Sequence, residues 1–357
     1  MRTAIILSGF FFGCNADFQS TVDEDKALVA EDACESIART LSPASAGLTN
    51  FFYRDDIVFS VTDGADTATI SLTDSSGVSI EGETWVDDRV AADEPLRVVF
   101  TPTAALHANT AYSATLDYCA GNPTVDFTTS ELGTPIDGLE RISGAVFSMD
   151  MSAAKVVQPS GVAQVLLTLL DNDLALRVDG ATDDTLDIAV ASVRVDDGLQ
   201  DTCTPTLDFS MPGNFAQAPA FEVGPIDVPF DLAGNTVMLY DAHSSATFAS
   251  NGTHFAGGRM SGAVDARDVV VALAGQGVLP SENPEALCDL LGEHSLGCSP
   301  CRDGEEYCLY LEVADIQGEK TEVYIEDIDS VDCHADCEDS CENETCEIAE
   351  EFAVCAG

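Results

Sequence analysis

His294, Cys298, Cys301 and Cys308, with Cys288 nearby, stand at spacings that would suit a zinc ion, for which thiolate and imidazole are the preferred ligands. The same cysteines can pair as disulfides instead, with Asp303-Gly304 supplying a tight turn between two of them. Thirteen cysteines, crowded after Cys288, match the disulfide-dense pattern of proteins that mature in an oxidising compartment. The expectation is therefore disulfides at Cys288, Cys298, Cys301 and Cys308, and neither a metal nor a cofactor.

Further along, Cys333, Cys337 and Cys341 recur every fourth residue, before Cys346 and Cys355. On a helix the first three would share one face, and cysteines one turn apart are poorly placed to bond each other. They are expected to pair with other segments, one of them with Cys203. Glu338, Asp339, Glu342 and Glu344 crowd these thiols with negative charge, which raises thiol pKa values and disfavours reactive thiolates. Sixteen acidic residues lie between Glu312 and Glu351, without the spaced Asp/Asn, Gly and distal Glu of a tight calcium loop. A solvated acidic surface is expected, binding divalent cations weakly at most.

The five histidines, His107, His243, His254, His294 and His334, stand singly, outside any H-E-x-x-H, G-x-S-x-G or P-loop pattern. Asp241-Ala242-His243-Ser244 holds triad residue types, but strand alternation would turn Asp241 and His243 to one face and Ser244 to the other. No catalytic residue is assigned, and the chain is not expected to be an enzyme. The alternative kept open is an enzyme whose active site converges from distant positions in the second domain.

These residues are set in a chain of 357 residues with 63 acidic and 14 basic side chains and a formal charge of -49. Such a field repels phosphate backbones, so nucleic acid is excluded as a partner. It also suits salty surroundings, where counterions screen self-repulsion. The length accommodates two domains plus tails.

Short alternating runs punctuated by Asp, Gly, Asn and Pro extend from Pro43 to about Ser130, among them Ile57–Val61, Thr69–Leu72, Leu96–Phe100, Tyr112–Tyr118 and Val125–Phe127. This spacing predicts an antiparallel sandwich. Pro102 can end a strand because it lacks an amide donor, Asn109 suits the following turn, and Tyr112 is placed for a tyrosine corner. The phrase Phe100-Thr101-Pro102, Leu106, Asn109-Thr110, Tyr112, Gly121-Asn122 and Phe127-Thr128-Thr129 resembles the closing half of the bacterial Ig-like domain of SbsA-type S-layer proteins. The resemblance covers about a quarter of the chain and implies a spacer or adhesive module without catalytic residues. A bridge from Cys34 to Cys119 is expected to pin the preceding tether to this sandwich.

Past the linker Gly133–Gly138, a β-rich region of no recognised family is expected over residues 139–332. Val162, Val165, Leu166, Leu169 and Leu170 follow the stripe of a helix packed on a core. Strands are expected over Leu186–Val195, Ile226–Leu232, 236–248 and 253–265, the last two joined by an Asn251-Gly252 hairpin. Helices are expected over Asp265–Leu273 and Glu285–Leu291. A sheet curled over a helix can enclose a pocket for a lipid or other hydrophobic ligand, but a solid core is the expected reading, since nothing in an alternating pattern marks a sheet as hollow.

The N-terminus pairs Arg2 with the apolar run Ala4–Phe12, too short to span a bilayer, as expected of an export signal over residues 1–13. Gly13-Cys14 resembles a bacterial lipobox, which implies acylation of Cys14. Removing Cys14 from thirteen leaves an even number of cysteines able to pair completely. Residues 14–41 read as an acidic tether, 42–132 as the Ig-like domain and 333–357 as an acidic, Cys-rich tail. The whole is expected to be mainly β: an Ig-like antiparallel β-sandwich, then a larger antiparallel β-rich domain with a few helices and a disulfide-stapled C-terminus. The expected role is a non-enzymatic envelope lipoprotein, periplasmic or at the cell surface, touching membrane only through its lipid. Envelope or surface proteins and polysaccharide are its candidate partners, and carriage of a hydrophobic ligand is the alternative role.

Overall fold

The computed structural model describes Cys34, residues 36–87, 94–159, 164–170, 172–195, 197–202, 204–209, 212–292 and 297–329, and the backbone of 345–349 and 352–356. The signal, Cys14, Cys203, His294, Cys333, His334, Cys337 and Cys341 lie outside these residues. Among the described residues, no helix is long and apolar enough to cross a membrane.

The chain first forms β1 (Ala38–Ser42), β2 (Leu48–Phe51), β3 (Ile57–Val61), β4 (Thr69–Asp74), β5 (Ser79–Ile80), β6 (Gly82–Asp87), β7 (Leu96–Pro102), β8 (Ala111–Asp117) and β9 (Thr124–Thr129). One sheet runs β1-β3-β7-β6 and the other β2-β9-β8-β4-β5, with β2 parallel to β9 and the remaining pairs antiparallel. That order is an immunoglobulin arrangement. Alternate residues Ile57, Phe59 and Val61 meet Ile70, Leu72, Tyr112, Ala114, Leu116 and Phe127 of the opposite sheet in one core, as a period of two requires of packed sheets. The hydroxyl of Tyr112 accepts the His107 amide at 2.9 Å, completing the tyrosine corner. The sandwich begins earlier than the sequence suggested: residues 38–41, assigned to the tether, form most of β1 because they pair with Val61, Ser60 and Phe59.

The second region contains β10 (Val146–Met149), β11 (Lys155–Gln158), α1 (Gln164–Leu167), β12 (Asn172–Ala181), β13 (Thr185–Arg194), β14 (Leu207–Asp208), β15 (Gly213–Asn214), β16 (Ala220–Leu232), β17 (Asn235–Phe248), β18 (His254–Asp265), α2 (Ala266–Gly275), α3 (Pro284–Gly292) and β19 (Cys308–Thr321). Its sheet runs β10-β12-β13-β15-β16-β17-β18-β19-β11, and β10 also pairs with β19. This added pairing rolls the antiparallel meander into a β-barrel. Inward residues include Leu176 and Val178 of β12, Leu186 and Ile188 of β13, Val237 and Leu239 of β17, and Leu311 and Val313 of β19. One part of the interior is filled by aromatic rings. Phe248 packs 4.9 Å from Phe221, 5.3 Å from Phe147 and 6.0 Å from Phe255 between centroids. Phe255 lies over Gly318, where a Cβ would come within 2.2 Å of the ring, so the plug needs glycine there.

Two sequence expectations change here. Among the described residues, the apolar stripe after Pro159 gives the single turn α1 and ends there, because Leu170 forms a β-bridge to Leu232 and the Leu169 carbonyl accepts the Ala233 amide at 2.9 Å. Strand pairing thus claims residues that helical periodicity would have used. The sheet does not curl over that helix but closes on itself. The helices expected near 265–273 and 285–291 are α2 and α3, and Asp265 caps α2 by accepting the Arg267 amide at 2.9 Å.

Sandwich and barrel are joined tightly. Residues 133–138, read as a linker, are held in place: the Asp137 amide donates to the Ser250 carbonyl at 2.9 Å. The loop after β2 docks on the barrel wall, with the buried Tyr53 hydroxyl 3.2 Å from Thr247 Oγ1. Phe52 occupies the space above Gly257, whose φ of +64° already excludes most side chains. Asp55 accepts from Arg259 at 2.9 Å.

Beyond α3, Cys288–Cys298 and Cys301–Cys308 are disulfides, and Cys34 and Cys119 are also disulfide-bonded. β20 (Thr345–Ala349) and β21 (Phe352–Ala356) form an antiparallel pair whose register sets Cys346 opposite Cys355. Loop-closure entropy gives each of the two short-loop bonds about 2–3 kcal/mol. Reduction is therefore expected to lower the urea midpoint, and to steepen the transition if anything because the freed unfolded chain exposes more surface, checked by urea titration with and without a phosphine reductant.

Candidate functional site

The zinc-like cluster is not a metal centre: its described cysteines are consumed as two disulfides. Asp265, Cys301 and Cys308 do approach one another, but both sulfurs belong to one bond. The hairpin it closes is clamped to the barrel. Arg302 grips Asp227 through both terminal nitrogens at 2.7 Å, reaches Asp241 at 3.1 Å and stacks 4.7 Å over Tyr240. Arg267 holds Asp265 and reaches Asp303 at 2.7 Å. The triad residue types of 241–244 do not assemble either, since Asp241 serves Arg302 while His243 points outward on β17.

The barrel interior is a different matter. Two apolar cavities of about 80 Å³ and 70 Å³ lie against each other, sharing Met151, Leu174, Val190, Leu207, Val228 and Met260. The first is roofed by Leu166, Leu167 and Leu170 beside α1 and bounded by Val269 of α2; the second ends on Phe221 and Phe255 of the aromatic plug. Either would hold several waters, each needing about 10–15 Å³ and two or more polar partners. In the first cavity polar partners are few, since Asn172 and Thr204 at the rim are already bonded to Asp201 at 3.1 and 2.8 Å; the second has Ser244, Ser245 and Arg259 in an otherwise apolar wall. Both are smaller than the roughly 300–1,000 Å³ of ordinary small-molecule pockets, and what their walls offer is chiefly apolar contact. Met151 and Met260 add adaptable walls.

A third, larger space of about 590 Å³ lies on the outside of β16 to β19, its wall divided between polar and apolar side chains. Strand register sets its side chains in two rows: Glu222 opposite Ser245 opposite Arg259, and His243 opposite Ser261 opposite Glu312. Bulges at Val223/Ile226 and Tyr240/His243 dent the wall between them. Arg259 is spoken for by Asp55 and by Glu312 at 3.3 Å, and Glu222 lies 3.7 Å from Arg54.

No protein-family model matches this sequence, and no curated protein matches it.

Burial pushes the Asp55 carboxyl above its ordinary 3.8, against the pull of Arg259, and burial does the same to Asp56. A carboxyl raised on folding adds stability that is full below pH 3.8 and lost as pH rises through the folded value. Asp227 and Asp303, lowered by hydrogen bonds from Arg302 and Arg267, act oppositely: their contribution is present above 3.8 and disappears as pH falls through the lowered values. Thermal melts across pH should show both limbs. Asp55→Asn should flatten the limb just above pH 3.8 and leave the acid limb unchanged.

Sequence reasoning missed both sites' walls at β12, β14, β15 and β19. The available signal for β19 was the alternation of Leu309, Leu311 and Val313 with Tyr310 and Glu312.

Proposed function

We propose that this chain is an exported envelope protein whose barrel carries a hydrophobic ligand, with Cys14 acylated as its membrane anchor. The observation that carries the reading is the pair of adjoining apolar cavities inside the barrel. The disulfides support export, since they persist in oxidising compartments. The sandwich in this reading is more than a spacer, because its Phe52–Asp56 loop braces the barrel wall beside the ligand space. Displacement of a fluorescent fatty acid from the purified protein tests the carrier role. Saturable displacement at one site per chain is expected, and absence of saturable binding would end it. Intact mass of membrane-extracted protein tests the anchor, and a mature mass starting at an unmodified residue would refute it.

A further inference from the structure

Arg259, Ser261 and Ala263 are alternate residues of β18, so they share the outer face of the barrel. Register builds a row of side chains on each. Ser245 stands opposite Arg259, His243 opposite Ser261 opposite Glu312, and Tyr240 opposite Ala263 opposite Tyr310. Successive rows lie about 6.8 Å apart and together cover about 14 Å along the strand. All of these floor residues are among those described. One end of the floor is bounded by the sandwich, whose Arg54 and Asp55 reach Glu222 and Arg259. The other end is bounded by the disulfide-closed hairpin, whose Arg302 covers Tyr240.

Between those ends the chemistry is specific. Tyr310 is 51% exposed, and its ring has no aromatic or cationic partner among the described residues. The side chains of His243, Ser245 and Ser261 make no hydrogen bond with other described residues. The charges are engaged, Arg259 with Asp55 and Glu312, and Glu222 with Arg54. What remains for a ligand is an aromatic face beside an imidazole and two hydroxyls, groups that both donate and accept. A sugar presents the matching surface, with C–H groups over the flat of its ring and hydroxyls around its edge. The groove of about 590 Å³ also falls within the roughly 300–1,000 Å³ of ordinary small-molecule sites. Ser261 stands between His243 and Glu312, whereas a catalytic triad needs the imidazole between serine and acid. The row is therefore arranged to bind.

We propose that this outer groove binds an uncharged oligosaccharide, one ring stacked on Tyr310 and the next lying over His243 and Ser261. An anionic sugar would meet Glu222 and Glu312 on a chain of formal charge -49, and a cationic one would find those carboxylates already held by Arg54 and Arg259. The site does not depend on the carrier reading, since Tyr310, His243 and Ser261 line neither apolar cavity.

Saturation-transfer nuclear magnetic resonance of the full-length protein with cellotetraose, laminaritetraose and N-acetylchitotetraose tests this, with tetragalacturonate and deacetylated chitotetraose as charged controls. Saturable binding of at least one neutral tetramer is expected, tighter than that of either control. Tyr310→Ala should weaken it roughly tenfold or more, whereas Tyr310→Phe, which keeps the ring, should retain it. His243→Ala/Ser261→Ala should weaken it as well. Circular dichroism should show all three variants folded, and displacement of the fluorescent fatty acid should be the same as in the unaltered chain. Failure of every neutral tetramer to bind, tighter binding of a charged control, or an affinity unchanged by Tyr310→Ala would overturn the proposal and leave the carrier reading standing.

Discussion

Val190→Trp is expected to weaken binding of any chain-bearing ligand more than tenfold, the largest functional effect a single substitution should have here. Val190 lines both apolar cavities, so an indole at this position fills the space the ligand would take. Overpacking a filled core typically costs about 1–3 kcal/mol, and here the existing void offsets part of it. The variant should therefore stay folded by circular dichroism while losing displacement of the fluorescent probe. Val190→Ile, which adds a single methylene, should retain binding. Loss of binding without loss of fold separates an occupied lumen from a surface site, which such a substitution would not reach.

Phe248→Ala should produce the largest change in stability, about 3–5 kcal/mol. Its side chain is fully buried and touches the rings of Phe147, Phe221 and Phe255. Those rings come from β10, β16 and β18, so truncating Phe248 leaves a hole shared by several strands that cannot all collapse inward. Tyr324→Ala, at a side chain 77% exposed, should shift stability by no more than about 0.5 kcal/mol. Urea titration of both variants gives the comparison. A small effect at Phe248 would mean that the plug is not packed as described.

The sandwich was legible because its signals are local: Pro102 at a strand end, Asn109 at a turn with φ of +51°, Tyr112 reaching His107. The hairpin at Asn251-Gly252 and the spans of β17 and β18 were legible for the same reason. Closure of the barrel was not. It depends on β10 meeting β19, whose partners Val146 and Thr321 are far apart in sequence, and no periodicity encodes that meeting. β19 itself was obscured by composition, since its outer face contributes Glu312, Asp315 and Glu319 to a run read as solvated acid. Those acids are one face of a strand whose other face builds the core.

The zinc-like spacing of Cys288, Cys298, Cys301 and Cys308 also carried two chemistries until the pairing separated them. The groove left no trace in the sequence, because His243, Ser261 and Glu312 come from three strands and share a row only through register.

Methyl-resolved nuclear magnetic resonance, following the chain on addition of monodecanoylglycerol, addresses the lumen most directly. The methyls of Val190, Leu174, Leu207 and Met260 line both cavities and should shift saturably, with magnetisation transfer from the ligand's methylenes. Shifts confined to outer-face methyls such as Val195 and Val271, or no saturable shifts at all, would contradict a ligand held inside the barrel.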